Sequence, residues 1–261
     1  HGESQPMWRA TLLLALCACA TAESNRELAT PTFVLGIPVP GGVNASAPFV
    51  GRAFVFISKA AKAACTMASQ PLSLVGDDQD TQQIFGQDVE LTHYHTNEAG
   101  LHQVVIDARD LGYPVTNMTQ IPPADYCVQG VFQPYETYHR KDGHTLHLPR
   151  RAVNAYEGGA LFTAPGTLFS GVAMASVAAG KTVRMNVTER VPPAAASPSD
   201  TDYIKHVMLR SPSLSEFWGK DIFLEACVLI PFGFKEHPDA RYPLFLYQGA
   251  MCVCVCVCMC V

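Results

Sequence analysis

Residues 50–57 read VGRAFVFI, and from Ala53 onward their side chains alternate between two faces of an extended chain. Phe54 and Phe56 fall on one face, and Ala53, Val55 and Ile57 fall on the other, because successive side chains of a strand point to opposite faces. A period of two residues predicts a β-strand. This stretch therefore leads us to expect a β-rich fold around it.

The same pattern recurs along the chain from about residue 32 to residue 188. Further short runs of β-branched and aromatic residues occur at 102–106, 125–132, 137–148 and 181–187. The clearest hairpin lies in the third of these runs, because Asp142-Gly143 suits a tight turn with positive φ. Many short strands at regular spacing predict a mainly β fold, namely an immunoglobulin-like antiparallel β-sandwich over residues 23–190.

Two local features in this region leave alternatives open. Residues 58–67, SKAAKAACTM, are rich in Ala and Lys and form either the one plausible helix or a loop. Phe132, Tyr135 and Tyr138, near the hairpin, are either a platform on which sugars stack or core and cross-strand residues. We favour the core interpretation, because large aromatic side chains are usually well buried.

The composition changes after residue 190. Residues 191–202, VPPAAASPSDTD, are typical of a stiff, solvated linker. Three strands are predicted beyond it, at 204–209, 222–230 and 242–247, within a second region of residues 203–250. The second of these strands, IFLEACVLI, is nearly all apolar, as expected for a strand buried on both faces.

The first 22 residues resemble a signal peptide preceded by six upstream residues. Met7, Trp8 and Arg9 form a short positive region, an apolar run follows, and Ala20-Thr21-Ala22 is a small-x-small cleavage site. The apolar run is too short to span a bilayer as a helix. We therefore expect a secreted or extracellular protein, with N-glycosylation at the sequons Asn44, Asn117 and Asn186.

The ten cysteines fall into three groups. Two leave with the predicted signal peptide, and five lie in residues 251–261, MCVCVCVCMCV, which a simple T/G dinucleotide repeat would encode. We interpret this tail as a gene-model artefact rather than a metal site, because about two to four residues usually intervene between paired zinc ligands, whereas a single residue separates these cysteines. Of the remaining Cys65, Cys127 and Cys227, the first two either form a disulfide or remain buried thiols.

Composition excludes some classes of function. The net charge is −5, and the basic residues are scattered rather than grouped on a positive face, so we do not expect nucleic-acid binding. No other stretch is long and apolar enough for a membrane helix. His93 and His95 would share one side of a strand, but the surrounding histidines do not form a zinc-ligand pattern, so we predict neither a metal nor a cofactor.

A resemblance to a known family comes from residues 202–249. The motifs that carry it are SPSL at 211–214, FWG at 217–219, VLIP at 228–231, GF at 233–234 and HPDARYP at 237–243. Their order resembles the first part of esterases of the enterochelin-esterase and esterase D type. The resemblance implies that residues 203–250 are the opening strands of an α/β-hydrolase domain. Residues 112–114 and 121–129 look like the sandwich domain that precedes such esterases.

The resemblance also implies where catalytic groups should lie. In that family the third strand ends in a glycine-containing loop that supplies an oxyanion-hole amide, and Gln248 and Gly249 occupy this position. The usual His-Gly pair is Gln-Gly in this chain. The nucleophile motif G-x-S-x-G occurs nowhere in the sequence, and the other triad members should follow it in chain order.

We therefore expect no catalytic residue in this chain. It is interpreted as the non-catalytic N-terminal portion of a secreted esterase-like serine hydrolase, and its missing partner would be a C-terminal catalytic domain. The alternative is a secreted β-sandwich module that binds a glycan or a protein and has no enzymatic role.

Overall fold

The computed structural model describes residues 30–41, 43, 48–59, 65–76, 81–92, 96–150, 162, 164–193, 199–248 and 255–258. These residues are mainly β. The strands are β1 Thr32–Pro38, β2 Phe49–Ser58, β3 Gln83–Leu91, β4 Leu101–Ile106, β5 Leu111–Tyr113, β6 Ala124–His139, β7 Thr145–Pro149, β8 Leu168–Phe169, β9 Ala173–Val177, β10 Thr182–Asn186, β11 Glu189–Arg190, β12 Ile204–Arg210, β13 Phe223–Leu229, β14 Phe245–Gln248 and β15 Val255–Cys258. The described helices are α1 Pro212–Trp218 and short 3-10 helices at Met67–Ser69, Pro71–Leu74 and Met118–Gln120.

The described strands form three sheets. The first sheet has the order β10-β1-β4. The second has the order β11-β8-β6-β2-β3-β5, and β7 and β9 also pair with β6. The third, which we call the terminal sheet, has the order β12-β13-β15-β14. Neighbouring strands are antiparallel except for the parallel pairs β1–β10 and β13–β15. We refer to residues 30–193 as the β-rich unit and to residues 199–258 as the terminal unit.

The main core of the β-rich unit combines side chains of the first and second sheets. Ala53, Val55 and Ile57 of β2 pack in one cluster with Phe33 and Leu35 of β1, and all five are at most 2% exposed. The predicted alternation of residues 53–57 is therefore confirmed. Burial of such side chains is the largest favourable contribution to the folding of this unit.

The opposite face of the second sheet has a smaller core of its own. Phe56 of β2 and Val131 of β6 pack there against Leu72 and Phe162. Leu72 belongs to residues 65–76, which lie against this face and which we call the strap. The second sheet is thus covered on both sides, because the first sheet lies on one face and the strap on the other.

The predicted hairpin at 137–148 is confirmed. β6 pairs with β7 in antiparallel register from Tyr135↔Pro149 to His139↔Thr145. Gly143 closes the turn with φ 87°, a left-handed value that favours glycine. Because β7 pairs with β6 alone among the described strands, this part of β6 and β7 form a two-stranded arm.

The described residues of the run at 58–67 lie at its two ends and are not α-helical. Ser58 is the last residue of β2, and the ladder keeps it there because Ser58 pairs with Cys127 of β6. Thr66 is extended, and Met67 begins a 3-10 helix of three residues rather than an α-helix. Residues 60–64 lie outside the described part of the chain.

The terminal unit contains the three predicted strands and one helix that we did not predict. β12, β13 and β14 fall within or beside the predicted ranges, and β14 begins at Phe245, two residues after Pro243. The expectation that β13 is buried on both faces is wrong. Phe223, Leu224 and Leu229 are each 44% exposed, because no second layer of described residues packs on this sheet.

Helix α1 connects β12 to β13. The Ser211 hydroxyl accepts a hydrogen bond from the Leu214 amide, and Pro212 occupies the first turn, where its missing N–H costs nothing. Gly219 ends the helix in the left-handed conformation. The cap, the proline and the terminal glycine together explain why these seven residues are helical.

Candidate functional site

The candidate oxyanion loop lies at the end of β14. Gln248 is the last residue of this strand and pairs with Val255 of β15. Gly249 lies outside the described residues. The role of this loop therefore remains a prediction.

Ser170 is directly followed by Gly171, as a nucleophilic serine beside a glycine could be, but its surroundings do not suit a nucleophile. Its side chain is buried, with the residue only 3% exposed. The Oγ atom accepts a hydrogen bond from the Gly130 amide at 2.9 Å and donates one to the Gly171 carbonyl at 2.7 Å. A serine nucleophile needs access to substrate and a base in contact with its hydroxyl. Ser170 instead holds the backbone of β6.

Gln129 extends this buried polar network to the strap. The Leu72 amide donates to its Oε1 atom at 3.1 Å, and its Nε2 atom donates to Gln70 Oε1 at 2.7 Å and to the Ser170 carbonyl at 3.2 Å. Gln129 is fully buried. Both ends of its amide are satisfied, as a buried polar side chain requires.

The two cysteines offered as a disulfide are joined in the structure. Cys65 of the strap and Cys127 of β6 are bonded, with a Cα–Cα distance of 5.5 Å. Cys127 is buried, and Cys227 of β13 is half-buried. The strap is therefore attached to β6 covalently at Cys65 and by hydrogen bonds to Gln129.

The described sequons occupy two different surfaces. Asn117 is exposed and caps a 3-10 helix, and its Oδ1 atom accepts a hydrogen bond from the Thr119 amide at 2.9 Å. Asn186 is exposed on β10, at the edge of the first sheet. A Cβ atom placed on Gly36 of the neighbouring strand would lie 2.7 Å from Asn186 Oδ1, so glycine makes room for this side chain. Asn44 lies outside the described residues.

His102 and His147 make hydrogen bonds in different parts of the β-rich unit. The Nδ1 atom of His102 lies 3.0 Å from the Thr92 carbonyl, and the Nδ1 atom of His147 lies 3.0 Å from the Thr137 hydroxyl. The part of the chain that the structure describes contains no group of three or more side chains suited to a metal ion. His93 and His95 are outside that part.

The three aromatic residues near the hairpin do not form a common platform. Phe132 is fully buried in the main core. Tyr135 donates a hydrogen bond to Asp88 at 2.8 Å, and burial together with this carboxylate raises the pKa of Tyr135 to about 12. Tyr138 lies against Trp218 of α1, with 5.5 Å between the ring centroids.

The contact between Tyr138 and Trp218 belongs to a larger interface, which we call the joint. It is formed by residues 136–141 of the two-stranded arm and residues 216–220 at the end of α1. Arg140 lies over the Phe217 ring, 4.7 Å from its centroid, and 5.9 Å from that of Trp218. A cation over an aromatic face is attracted by the ring quadrupole, so Arg140 and these rings stabilise one another.

Two ion pairs flank the aromatic centre of the joint. Lys220 Nζ donates to Glu136 Oε2 at 2.9 Å and to the Tyr138 hydroxyl at 3.0 Å. Lys141 of the arm pairs with Glu216 of α1. The arm thus contributes one acid and one base, and residues 216–220 contribute the opposite partner of each.

These contacts shift the ionisation of the joint residues. The hydrogen bond from Lys220 lowers the pKa of Glu136, although burial opposes this effect. Burial disfavours the charged form of Lys220, but its hydrogen bonds to Tyr138 and Glu136 outweigh burial and raise the pKa of Lys220. Both groups are therefore held in their charged forms near neutral pH.

The backbones of the two elements also touch. The Lys141 amide donates to the Phe217 carbonyl at 2.8 Å. A Cβ atom on Gly219 would lie 2.4 Å from the His139 carbonyl oxygen, and Gly219 has φ 67°. Glycine is required there both for the backbone conformation and for the close approach.

Comparisons with known proteins complete this description. No helix in the described residues is long and apolar enough to cross a bilayer. No protein-family model, no curated protein and no solved structure matches this chain. The resemblance to the esterase family therefore rests on the motifs at 202–249 alone.

Proposed function

We propose that this chain is the N-terminal, non-catalytic part of a secreted serine hydrolase of the esterase type. In this proposal the β-rich unit is an immunoglobulin-like accessory sandwich, and residues 203–250 of the terminal unit are the beginning of an α/β-hydrolase sheet. The observation that carries the proposal is the exposed apolar surface of the terminal sheet. Met208 and Leu209 of β12 are 57% and 59% exposed.

This exposure concerns both faces of the sheet. Met208 and Leu209 are consecutive residues of one strand, so their side chains point to opposite faces. The neighbouring residues of β13 repeat the pattern, because Leu224 pairs with Leu209 and is also exposed. A sheet with apolar residues on both faces is typical of α/β folds, in which helices cover both sides. The exposed residues of β12 and β13 thus have the sequence character of hydrolase strands that helices would cover.

The disulfide and the sequons support secretion. Disulfides persist in oxidising compartments, and the Cys65–Cys127 bond fixes the strap over an apolar face. Asn117 and Asn186 are both exposed, as a glycan acceptor must be. These features agree with the signal-like residues 7–22.

The mechanism of the parent enzyme would be acyl transfer through an activated serine. Such a serine needs a histidine and a carboxylate that reach it from separate strands and loops. In this chain Gln248 and Gly249 would supply the oxyanion loop, and the nucleophile, base and acid would come from a C-terminal catalytic domain. The chain by itself would then position or shield that domain.

Two measurements test this proposal. Transcripts that contain the codons for residues 223–248 should continue into a frame with G-x-S-x-G, followed by Asp or Glu and then His. The purified chain should hydrolyse p-nitrophenyl esters only at the background rate. Turnover well above background, or a transcript without the nucleophile motif, would contradict the proposal.

A second candidate is a secreted module that binds a glycan or a protein. The observation that favours it is the completeness of the β-rich unit, in which the second sheet is covered on one side by the first sheet and on the other by the strap. Such a unit does not need a catalytic partner for its core. Binding of the purified chain to a glycan array, together with a transcript that lacks G-x-S-x-G, would favour this candidate.

A further inference from the structure

The arm and α1 are both elements that need outside support. An isolated two-stranded hairpin is marginally stable in water, and the arm extends beyond the strands that pair with the rest of β6. A helix shorter than about 12 residues is also marginal by itself, and α1 has seven. Each element therefore gains order from contact with the other.

The contacts in the joint are complementary in charge, shape and backbone pairing. In the pair Glu136–Lys220 the arm supplies the acid, and in the pair Lys141–Glu216 it supplies the base. An arm docked in the reverse orientation would therefore bring like charges together. The Phe217 carbonyl receives a backbone hydrogen bond from the arm. Trp218 supplies the kind of large aromatic contact that dominates the binding energy of many interfaces.

We propose that the joint is a self-sufficient docking interface, which holds the terminal unit on the β-rich unit without help from the linker. The partner of the arm is the end of α1, and Trp218 and Arg140 form the centre of the contact. The two units would then remain associated as one body after the linker is cut. This inference concerns the interaction of two parts of the chain and does not rest on the proposed enzymatic function.

The test uses the full chain with a site for a sequence-specific protease inserted between residues 194 and 198. After cleavage, analytical gel filtration over a dilution series measures the dissociation constant of the two fragments. We expect the fragments to coelute at micromolar concentration. Separation of the wild-type fragments, or precipitation of the terminal fragment alone, would overturn the proposal.

Substitution of the central aromatic residue tests whether the joint carries the association. Trp218→Ala should raise the dissociation constant by about 10–100-fold, as expected for an aromatic anchor at an interface. The matched control is Phe232→Ala, because Phe232 is 86% exposed and lies outside the joint. If Trp218→Ala fragments stay together as tightly as the control fragments, the proposal is wrong.

A charge exchange provides a milder test that should leave the fold intact. Lys141→Glu and Glu216→Lys should each weaken the association, and the double variant should restore it, because the ion pair is rebuilt with reversed signs. Lys235→Glu serves as the control, since Lys235 pairs with Asp202 within the terminal unit. A double variant that binds no better than the single variants would contradict a specific joint.

Discussion

In the β-rich unit, Val55 of β2 and Val128 of β6 are completely buried, whereas Leu209 of β12 and Leu224 of β13 in the terminal unit are 59% and 44% exposed. All four residues lie in strands of similar apolar character. The difference is the presence of a second layer, since the first sheet and the strap cover the second sheet. The sequence of a strand thus specifies which residues are apolar, and the packing of a second layer determines whether they are buried. Substitutions in the main core and at the strap test this difference, and a substitution in the joint tests the contact between the units.

The largest expected effect is on the main core. Phe132→Ala should lower the free energy of unfolding by about 3–5 kcal/mol, because it removes a fully buried ring that packs against Phe49 at 5.1 Å between centroids. Phe232→Ala, in the terminal unit, should change it by less than about 0.5 kcal/mol. Urea denaturation followed by far-ultraviolet circular dichroism measures both. Equal losses for the two variants would mean that the units do not differ in burial.

The next effect comes from the disulfide. Replacement of Cys65 and Cys127 by alanine should cost about 2–4 kcal/mol, because the bond closes a loop between residues 62 positions apart and restricts the unfolded chain. The strap should then be cleaved faster by a protease such as chymotrypsin, while residues 204–229 keep their cleavage rate. Replacement of Cys227 by serine is the control. An unchanged strap would show that its noncovalent contacts suffice.

The third effect concerns the buried amide under the strap. Gln129→Ala should cost about 1–3 kcal/mol, because the Leu72 amide and the Ser170 carbonyl lose a partner while remaining buried. Gln120→Ala, at an exposed position, should be close to neutral. Both values come from the same denaturation experiment. A neutral Gln129→Ala would show that water or a neighbouring group replaces the amide.

The smallest effect is the pH dependence of the joint. The pKa of Glu136 is lowered in the folded protein, so its contribution to the free energy of unfolding is present above the unfolded pKa of about 4.5 and is lost as the pH falls through the folded value. The pair with Lys220 is partly exposed and should contribute about 0.2–1 kcal/mol. The stability difference between the wild type and Glu136→Gln should therefore be present at pH 7 and shrink towards pH 3. If the stability difference between the two proteins stays constant over this range, it does not come from the charge of Glu136.

Local patterns were enough to predict much of the β-rich unit. The alternation at residues 53–57 and the Asp142-Gly143 turn depend only on residues that are close in the sequence. Both predictions are confirmed. Helix α1 escaped prediction although Ser211, Pro212 and Gly219 are recognisable start and stop signals. Its seven residues are fewer than the window of about 11–18 residues over which a helical period can be recognised.

The strap and the joint could not be predicted, because they depend on pairs that are distant in the sequence. Leu72 and Gln129 are 57 residues apart, and Glu136 and Lys220 are 84 apart. Nothing in the local sequence of either partner indicates the other. The exposure of β13 could not be predicted for a related reason. An apolar strand sequence is compatible with burial on both faces, but it does not indicate whether other elements pack on those faces.

The length of β6 has a mechanical consequence. This strand pairs with β2, β7, β8 and β9, is cross-linked to the strap at Cys127, and continues into the arm that contacts α1. A force that pulls the terminal unit away from the arm would also act on β6. The hydrogen bonds between β6 and its neighbouring strands would share this force. Under load, the arm and α1 should therefore separate at a lower force than any that extracts β6 from its sheet.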